Sequence, residues 1–482
     1  MTASDILEGR FRESRDQILL VALDERCFTY GSYYANARRI AAQWASQGLR
    51  PGDCVALQLP NDPAYPCLYL ACAIGGFVAC PISPDLLPAA VEEILALARP
   101  ALVVGEAPAL DAGLAAPADG DIVFEGANAE TFGIFFSSGT TGRPKGICHR
   151  LDSFVGSALS FGRLAGFSAE TRLYHVLPMA YMAGFHNTLL TPLLAGATVV
   201  EGPQFSSRSA LDFWSHPVSR KANTLSLVPS IAAALCRLVR DPGWAREAAG
   251  GFRQVQSTAA PLNAALRRSF LETFGLPLQD CYGVTELGGP LTFQSREAAL
   301  AERPWGRPLP ELACRLRRDS SGEPELWVRS PFLMRGYLTE AGFQAPEMEA
   351  GYFASGDLAE LRAGELRLIG RSRDIIIRGG VNIAPLALEN AISLVEGVQD
   401  VAVVAGQHDV WGEIAVACVL PGRAADREAL ARSIKAQCAR TLSKPEQPDR
   451  IVFLDDFPRT LAGKVKKKDL GQRIGQLLDG AA

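Results

Sequence analysis

The sequence predicts an α/β protein, with a large layered multi-sheet α/β N-terminal domain over residues 1–370 and a small α+β domain over residues 371–482. Three observations carry that expectation. At 482 residues the chain exceeds what one hydrophobic core usually supports, so it divides. Apolar patterns of helical period alternate with short extended runs from the N-terminus to about residue 370. A charged turn, Gly370-Arg371-Ser372-Arg373-Asp374, then separates two apolar strands and marks the boundary.

Taken in order, Ser32–Gln47 reads as an amphipathic helix, with Tyr33, Ala37, Ile40, Ala41 and Trp44 at helical spacing and Gly48 as its stop. The Pro51-Gly52 turn leads into a strand over Cys54–Leu59. Cys67–Ile82 carries no charge, but it is short for a bilayer span and Gly75-Gly76 interrupts it. It reads as a buried helix running into a buried strand, and no membrane span is expected. Ala107–Gly126 is a surface stretch rich in Ala, Gly and Asp. In the C-terminal part, Pro385–Leu394 and Arg427–Thr441 read as helices, and Val401–Ala405, Ile414–Leu420 and Ile451–Leu454 as strands.

The composition, 48% hydrophobic and 21% charged, is that of a globular protein, and no segment is biased enough to be disordered. A net charge of −4 gives no electrostatic reason to bind nucleic acid or an anionic membrane. Any anion must be held by a local arrangement. The eleven cysteines form no C-x-x-C pair, and the N-terminus has no signal-peptide core, so reduced thiols in the cytoplasm are expected. Cys67, Cys72 and Cys80 read as small core residues.

The sharpest chemical signal is Ser137-Ser138-Gly139-Thr140-Thr141-Gly142-Arg143-Pro144-Lys145-Gly146, directly after the strand-like Gly133–Phe136. Glycines let backbone amides approach phosphate oxygens, hydroxyls donate further bonds, and Lys145 adds a positive charge. Pro144 before the lysine excludes a P-loop, and no G-x-S-x-G elbow occurs.

This loop resembles the phosphate loop of the adenylate-forming superfamily: acyl- and aryl-CoA synthetases, peptide-synthetase adenylation domains and firefly-type luciferases. Nine specified residues would recur by chance in a chain this long with probability on the order of 10⁻⁸. Further stretches match in family order over about residues 25–472. Tyr282-Gly283-Val284-Thr285-Glu286 resembles Y-G-x-T-E, which implies that Tyr282 stacks on adenine, Thr285 contacts the α-phosphate and Glu286 holds Mg²⁺. Ser257-Thr258-Ala259-Ala260-Pro261 is similar to the adenine-side loop, where Thr258 and Ala259 act mainly through backbone. Tyr352–Asp357 resembles Y-x-x-[ST]-G-D, in which Asp357 accepts both ribose hydroxyls, as the two oxygens of a carboxylate can. Gly370–Asp374 then matches the family hinge. Arg371 would also reach the ribose, and Arg373 stands where Asp or Lys is usual.

Pro458–Val465 resembles P-R-T-x-x-G-K-[VI], making Lys464 the lysine of adenylation. Carboxylate and triphosphate repel, so a mobile ammonium between them is valuable. Lys466, Lys467 and Lys468 read as a solvated run. Gly379-Gly380-Val381-Asn382-Ile383-Ala384-Pro385 is close to the G-G-x-N-I-x-P of small-acid and aryl CoA ligases, and implies a thiol passage beside Gly379 and Gly380. Ala387 replaces a glutamate usual there.

Leu177–Phe185 corresponds to the acid-pocket segment, with Tyr181 where CoA ligases often have His. Met182 stands where amino-acid-activating relatives place Asp, which argues against an α-amino acid. Met182, Phe185, Gly283 and Pro290 suggest a pocket for a small apolar carboxylic acid. The resemblance therefore implies ATP and Mg²⁺ as cofactors and a thiol acceptor, either CoA or the phosphopantetheine of an acyl carrier protein. The first acceptor gives a carboxylate–CoA ligase. The second gives a stand-alone acyl–acyl-carrier-protein ligase. A non-catalytic or light-emitting relative is disfavoured by Lys464, Glu286 and Asp357, which a binding-only protein has little need to keep.

Overall fold

The computed structural model describes residues 2–124, 130–138, 144–319, 322–408, 411–422, 425–460 and 464–479. Gly139, Thr140, Thr141 and Gly142 of the phosphate loop lie outside these residues, as do the side chains of Ser137 and Ser138.

The first predicted helix spans Tyr30–Ser46 and opens with a capping box, in which the Thr29 hydroxyl accepts from the Ser32 amide. Tyr33, Ala37, Ile40, Ala41 and Trp44 are buried, so the helical spacing marks the face that enters the core. The charge-free stretch forms the helix Ala64–Gly75 and the buried strand Val78–Pro81. Among the described residues no helix is long and apolar enough to cross a membrane.

Two large sheets organise the first three hundred residues. One runs, in order, Arg307–Pro308, Gly289–Phe293, Leu278–Val284, Gln254–Thr258, Thr224–Leu227, Arg172–His175, Thr198–Glu201, Ile18–Val21 and Cys27–Thr29, with a parallel centre and antiparallel edges. The other places the hairpin strands Gly133–Ser138 and Pro144–His149 between Val78–Pro81 and Gly336–Thr339. Helices cover both, so central strands such as Thr198–Glu201 and Thr224–Leu227 are buried on both faces.

The α/β alternation ends earlier than the sequence suggests. Ala313–Arg318, Pro324–Arg329, Phe353–Arg362 and Glu365–Arg371 form an antiparallel four-stranded sheet with no helix between strands. The reason is local for the outer pairs, Ala313–Arg318 with Pro324–Arg329 and Phe353–Arg362 with Glu365–Arg371, which are too close in sequence for the long crossover a parallel pair would need.

The C-terminal part has the expected helices, Pro385–Ser393 and Arg427–Thr441, and strands Val398–His408, Gly412–Pro421 and Arg450–Phe453. It adds a small hairpin, Ile376–Arg378 with Val381–Ile383, whose two-residue turn is Gly379-Gly380. Both glycines have positive φ, 53° and 86°, which a tight hairpin turn of this kind demands. Turn geometry alone thus accounts for glycine at both positions.

Candidate active site

The parallel strands of the first sheet end on one side, and their carboxyl ends carry the expected motifs, where α/β sheets hold ligands. Gln254–Thr258 ends at Thr258, followed by Ala259 at φ 72°, a left-handed conformation strained for a residue with a Cβ. Leu278–Val284 runs into the short 3₁₀ turn Thr285–Leu287. A bulge follows Tyr282, so that Gly283 pairs with Pro290. A Cβ on Gly283 would lie 2.6 Å from the Gly289 carbonyl oxygen, and only glycine fits. Pro290 is buried beneath it.

Asp357 is the anchor of the cleft and is 4% exposed. Strand register sets it directly opposite Arg371. Arg371 Nε lies 3.0 Å from Asp357 Oδ1, and the Tyr282 hydroxyl donates to Oδ2 at 2.7 Å. Burial and then the Asp357 charge hold the Tyr282 phenol well above its ordinary pKa, so it remains a donor. The turn is braced by Ser355 Oγ, which donates to the Leu326 carbonyl, and by Glu325, which accepts from the Gly356 amide. The tyrosine expected to stack on adenine is therefore also tied, through its hydroxyl, to the aspartate expected to take the ribose.

Glu286 accepts a hydrogen bond from the Tyr337 hydroxyl at 3.3 Å, and Lys145 Nζ lies over the Tyr337 ring, 5.4 Å from its centroid. Tyr337 thus joins the Y-G-x-T-E motif to the phosphate-loop lysine. The sequence reading missed it, since the only local signal is an Arg-Gly-Tyr after a turn. His149 was missed too. Its Nε2–H donates to the Thr285 carbonyl at 2.7 Å, and burial pushes its pKa down to about 4, so the ring is neutral. Pro144–His149 therefore begins beside the phosphate loop and ends on Thr285.

Lys464 faces this wall from the C-terminal part. Enclosure lowers its pKa to about 8, helped by the Arg371 and Arg373 cations and opposed by Asp357 and Glu286. Solvent still reaches the side chain, so the shift reflects a cleft between charged walls and not a sealed core. Two bonds tie this arrangement together near the hinge: Asn382 Nδ2 donates to Glu323 at 3.1 Å, and Ser372 Oγ donates to Asp319. Arg373 sits in a 3₁₀ turn, Ser372–Asp374, half exposed.

In the pocket segment, Tyr181 and Met182 are half-buried. They lead into a π-helix over Ala183–Leu190. Phe185 follows inside that helix. It is 3% exposed, with its ring packed 4.5 Å from Tyr69, 5.4 Å from Phe135 and 5.2 Å from Phe154, and together with Tyr69, Phe132 and Leu189 it lines a small apolar cavity. The winding of this helix turns it inward.

The donor set suits Mg²⁺. Among the described residues no three His, Cys, Asp or Glu cluster as a metal cage. Glu286 has one carboxylate oxygen steadied by Tyr337 and, among the described residues, none in an ion pair. A single oriented carboxylate is what Mg²⁺ uses when phosphates supply its other ligands.

Comparison with known proteins agrees with this geometry. The AMP-binding enzyme family matches residues 7–338, and the AMP-binding enzyme C-terminal domain matches residues 387–464. A long-chain-fatty-acid–CoA ligase of Mycobacterium tuberculosis is 29% identical over 92% of this chain and 93% of its own. An indoleacetate–CoA ligase of Aromatoleum aromaticum is 28% identical over 95% of each. The crystal structure of ATP-bound MatB from Rhodopseudomonas palustris superposes with a TM-score of 0.85, covering 99% of this chain and 100% of that one, at 24% identity. With the N-terminal match alone spanning more than half its length, the chain belongs to the AMP-binding enzyme family.

Proposed function

We propose that the chain is an AMP-forming carboxylate–CoA ligase. The observation that carries this is one cleft in which Asp357, Tyr282 and Arg371 interlock while Glu286 and Lys464 face the same space. In the first step a carboxylate oxygen of the acid attacks the α-phosphorus of ATP, and pyrophosphate leaves with the bonding electron pair. Asp357 takes the ribose hydroxyls on the lone pairs that Tyr282 and Arg371 leave free. Thr285 and the hydroxyls of Ser137, Ser138, Thr140 and Thr141 donate to phosphate oxygens, with Lys145 beside them. Lys464 bridges the acid and the α-phosphate. Glu286 would hold Mg²⁺, which when bound offsets the charge of the triphosphate.

In the second step the CoA sulfur replaces AMP at the acyl carbon, releasing AMP and the thiol proton. The division at residues 370/371 and the turn around Arg373 support a small domain that swings between the steps, bringing Gly379 and Gly380 to the site. Tyr181, Met182, Gly283 and Pro290 bound the acid. With no carboxylate at Met182 to pair an ammonium, the acid is a small carboxylic acid other than an α-amino acid.

The test is AMP release with ATP, Mg²⁺ and CoA across a panel of carboxylic acids, repeated with a phosphopantetheinylated carrier protein in place of CoA. Acid-dependent AMP release with CoA is expected. Turnover only with the carrier protein would reassign the acceptor, and pyrophosphate exchange with no acid would overturn the reading.

A further inference from the structure

The segment that forms the acid pocket is gripped from outside by a residue no motif contains. Asn61 precedes the helix Ala64–Gly75. Its Nδ2 donates to the Leu177 carbonyl at 2.8 Å, and its Oδ1 accepts from the Met179 amide at 2.8 Å. These two backbone groups flank Pro178, which has no N–H of its own. The strand Arg172–His175 has left its ladder by this point, the last pair being His175 with Glu201. One side-chain amide thus continues the sheet by a single rung. Tyr69 adds a third bond, its hydroxyl donating to the Met179 carbonyl at 3.0 Å.

We propose that Asn61 is a positioning residue that fixes Leu177–Met179 and thereby sets which acids are accepted. Leu177 and Met179 are buried, so an unpartnered carbonyl or amide there forces the segment to move. Movement passes directly to the pocket. The Tyr181 amide donates to the Pro178 carbonyl at 3.2 Å and the Phe185 amide to the Tyr181 carbonyl at 2.9 Å, so Tyr181 and Met182 follow the clamped residues as one body. The loop holding Asn61 is itself anchored. Asp62 Oδ1 accepts from the Ala64 amide at 2.7 Å, and the Tyr33 hydroxyl donates to the Pro63 carbonyl. The grip is bidentate and acts on backbone, so it is indifferent to which side chains line the pocket. This inference rests on the proposed reading of Tyr181 and Met182 as pocket walls.

The experiment is acid-dependent pyrophosphate exchange over acids of graded size, with KM for acid and for ATP measured separately. Asn61→Ala removes both bonds. It is expected to raise the KM for the preferred acid by about ten-fold and flatten the ranking of acids, while KM for ATP stays within about two-fold. Asn61→Asp keeps the acceptor for Met179 but sets a carboxylate against the Leu177 carbonyl, and shifts the same parameter should the alanine variant fold poorly. Asp62→Ala loosens the same loop without touching the pocket segment, and should lower the unfolding temperature with no change in acid KM. Parallel rises in acid and ATP KM, or a loss of thermal stability alone, would overturn the inference. Met182→Ala separates it from the parent reading. If that variant also leaves the acid ranking unchanged, the pocket assignment fails; if it alters the ranking and Asn61→Ala does not, only the role of Asn61 fails.

Discussion

The two walls of the nucleotide cleft are built differently. On the large side Asp357 is buried, and Tyr282, Arg371 and the braced Ser355-Gly356 turn hold it in place. Thr285 hangs from the neutral ring of His149, and Glu286 from Tyr337. Asp357, Tyr282, Arg371 and Glu286 each have a side-chain partner, and Thr285 is held through its backbone carbonyl. On the small side Lys464 has its backbone fastened, its amide donating to Thr460 Oγ1 at 3.1 Å, while among the described residues its ammonium faces the charges of Asp357 and Glu286 across the cleft. Asn382 donates to Glu323 and Ser372 to Asp319 beside the turn Ser372–Asp374. The contrast is between a preorganised network on the large wall and a lysine that meets it across open space.

The largest effect expected from that contrast is at Lys464. Lys464→Ala should slow acyl-adenylate formation by about 10²–10³-fold, the penalty for one lost electrostatic partner. Thioester formation from supplied acyl-AMP should hardly change, and single-turnover timing of each half-reaction checks this. If both halves slow equally, the lysine belongs to a fixed wall and the comparison collapses.

Asp357→Ala should weaken ATP and acyl-AMP binding by about 2–4 kcal/mol, measured by calorimetry, because charge-assisted bonds in a closed site are lost. The same change at Asp374 should do far less, since its ion pair with Arg373 is long, 3.8 Å, and partly exposed.

The two walls should also fail at opposite ends of the pH scale. Lys464, its pKa lowered to about 8, is charged below that value and neutral above it. Adenylation kcat/KM should therefore fall by about five-fold from pH 8 to pH 9, and Lys464→Arg should flatten that limb because a guanidinium stays protonated. On the large side His149 and His186 are buried at about 4 and His175 at about 3, against 6.5 for a free imidazole. A depressed pKa means that the unfolded chain binds the proton first. The stability these rings contribute is whole above 6.5 and is lost as pH falls toward 4 and 3. By pH 5 that should cost about 1–2 kcal/mol per imidazole, read from urea unfolding at pH 7 and pH 5.

The smallest effect sharpens the account of the large wall. Tyr337→Phe keeps the ring under Lys145 and removes the hydroxyl on Glu286. The Mg²⁺ concentration needed for half-maximal adenylation should rise by about three- to ten-fold, with little change in the acid KM.

What the sequence made legible followed the same division between pattern and partnership. The helix Tyr30–Ser46 could be read because its apolar spacing and its cap both lie within one short stretch. The four-stranded sheet could not, since part of its face is covered by charge instead of apolar residues. Arg315 and Arg317 lie over the Trp327 ring, with Arg315 also over Tyr352, which leaves no alternating apolar signal. Asp357 and Lys464 stand in motifs whose neighbours in sequence are also neighbours in space. Tyr337 touches Glu286 from 51 residues away and His149 touches Thr285 from 136, separations that a single sequence cannot connect. The wide winding of Ala183–Leu190 has no signature in residue type and could not be read at all.

That wider winding has a bearing on how the acid preference of this chain could be changed. A π-helical stretch closes its hydrogen bonds five residues back where an α-helix closes them four back, so it holds one residue more than the same span needs. Tyr181 and Met182 lie just before it, and Leu193 and Leu194 in the core lie just after. Shortening Ala183–Leu190 by one residue would let the stretch relax to ordinary α-helix, with the core anchor kept and Tyr181 and Met182 turned about the helix axis. The lining of the pocket could then be changed by the length of the chain, with no side chain replaced.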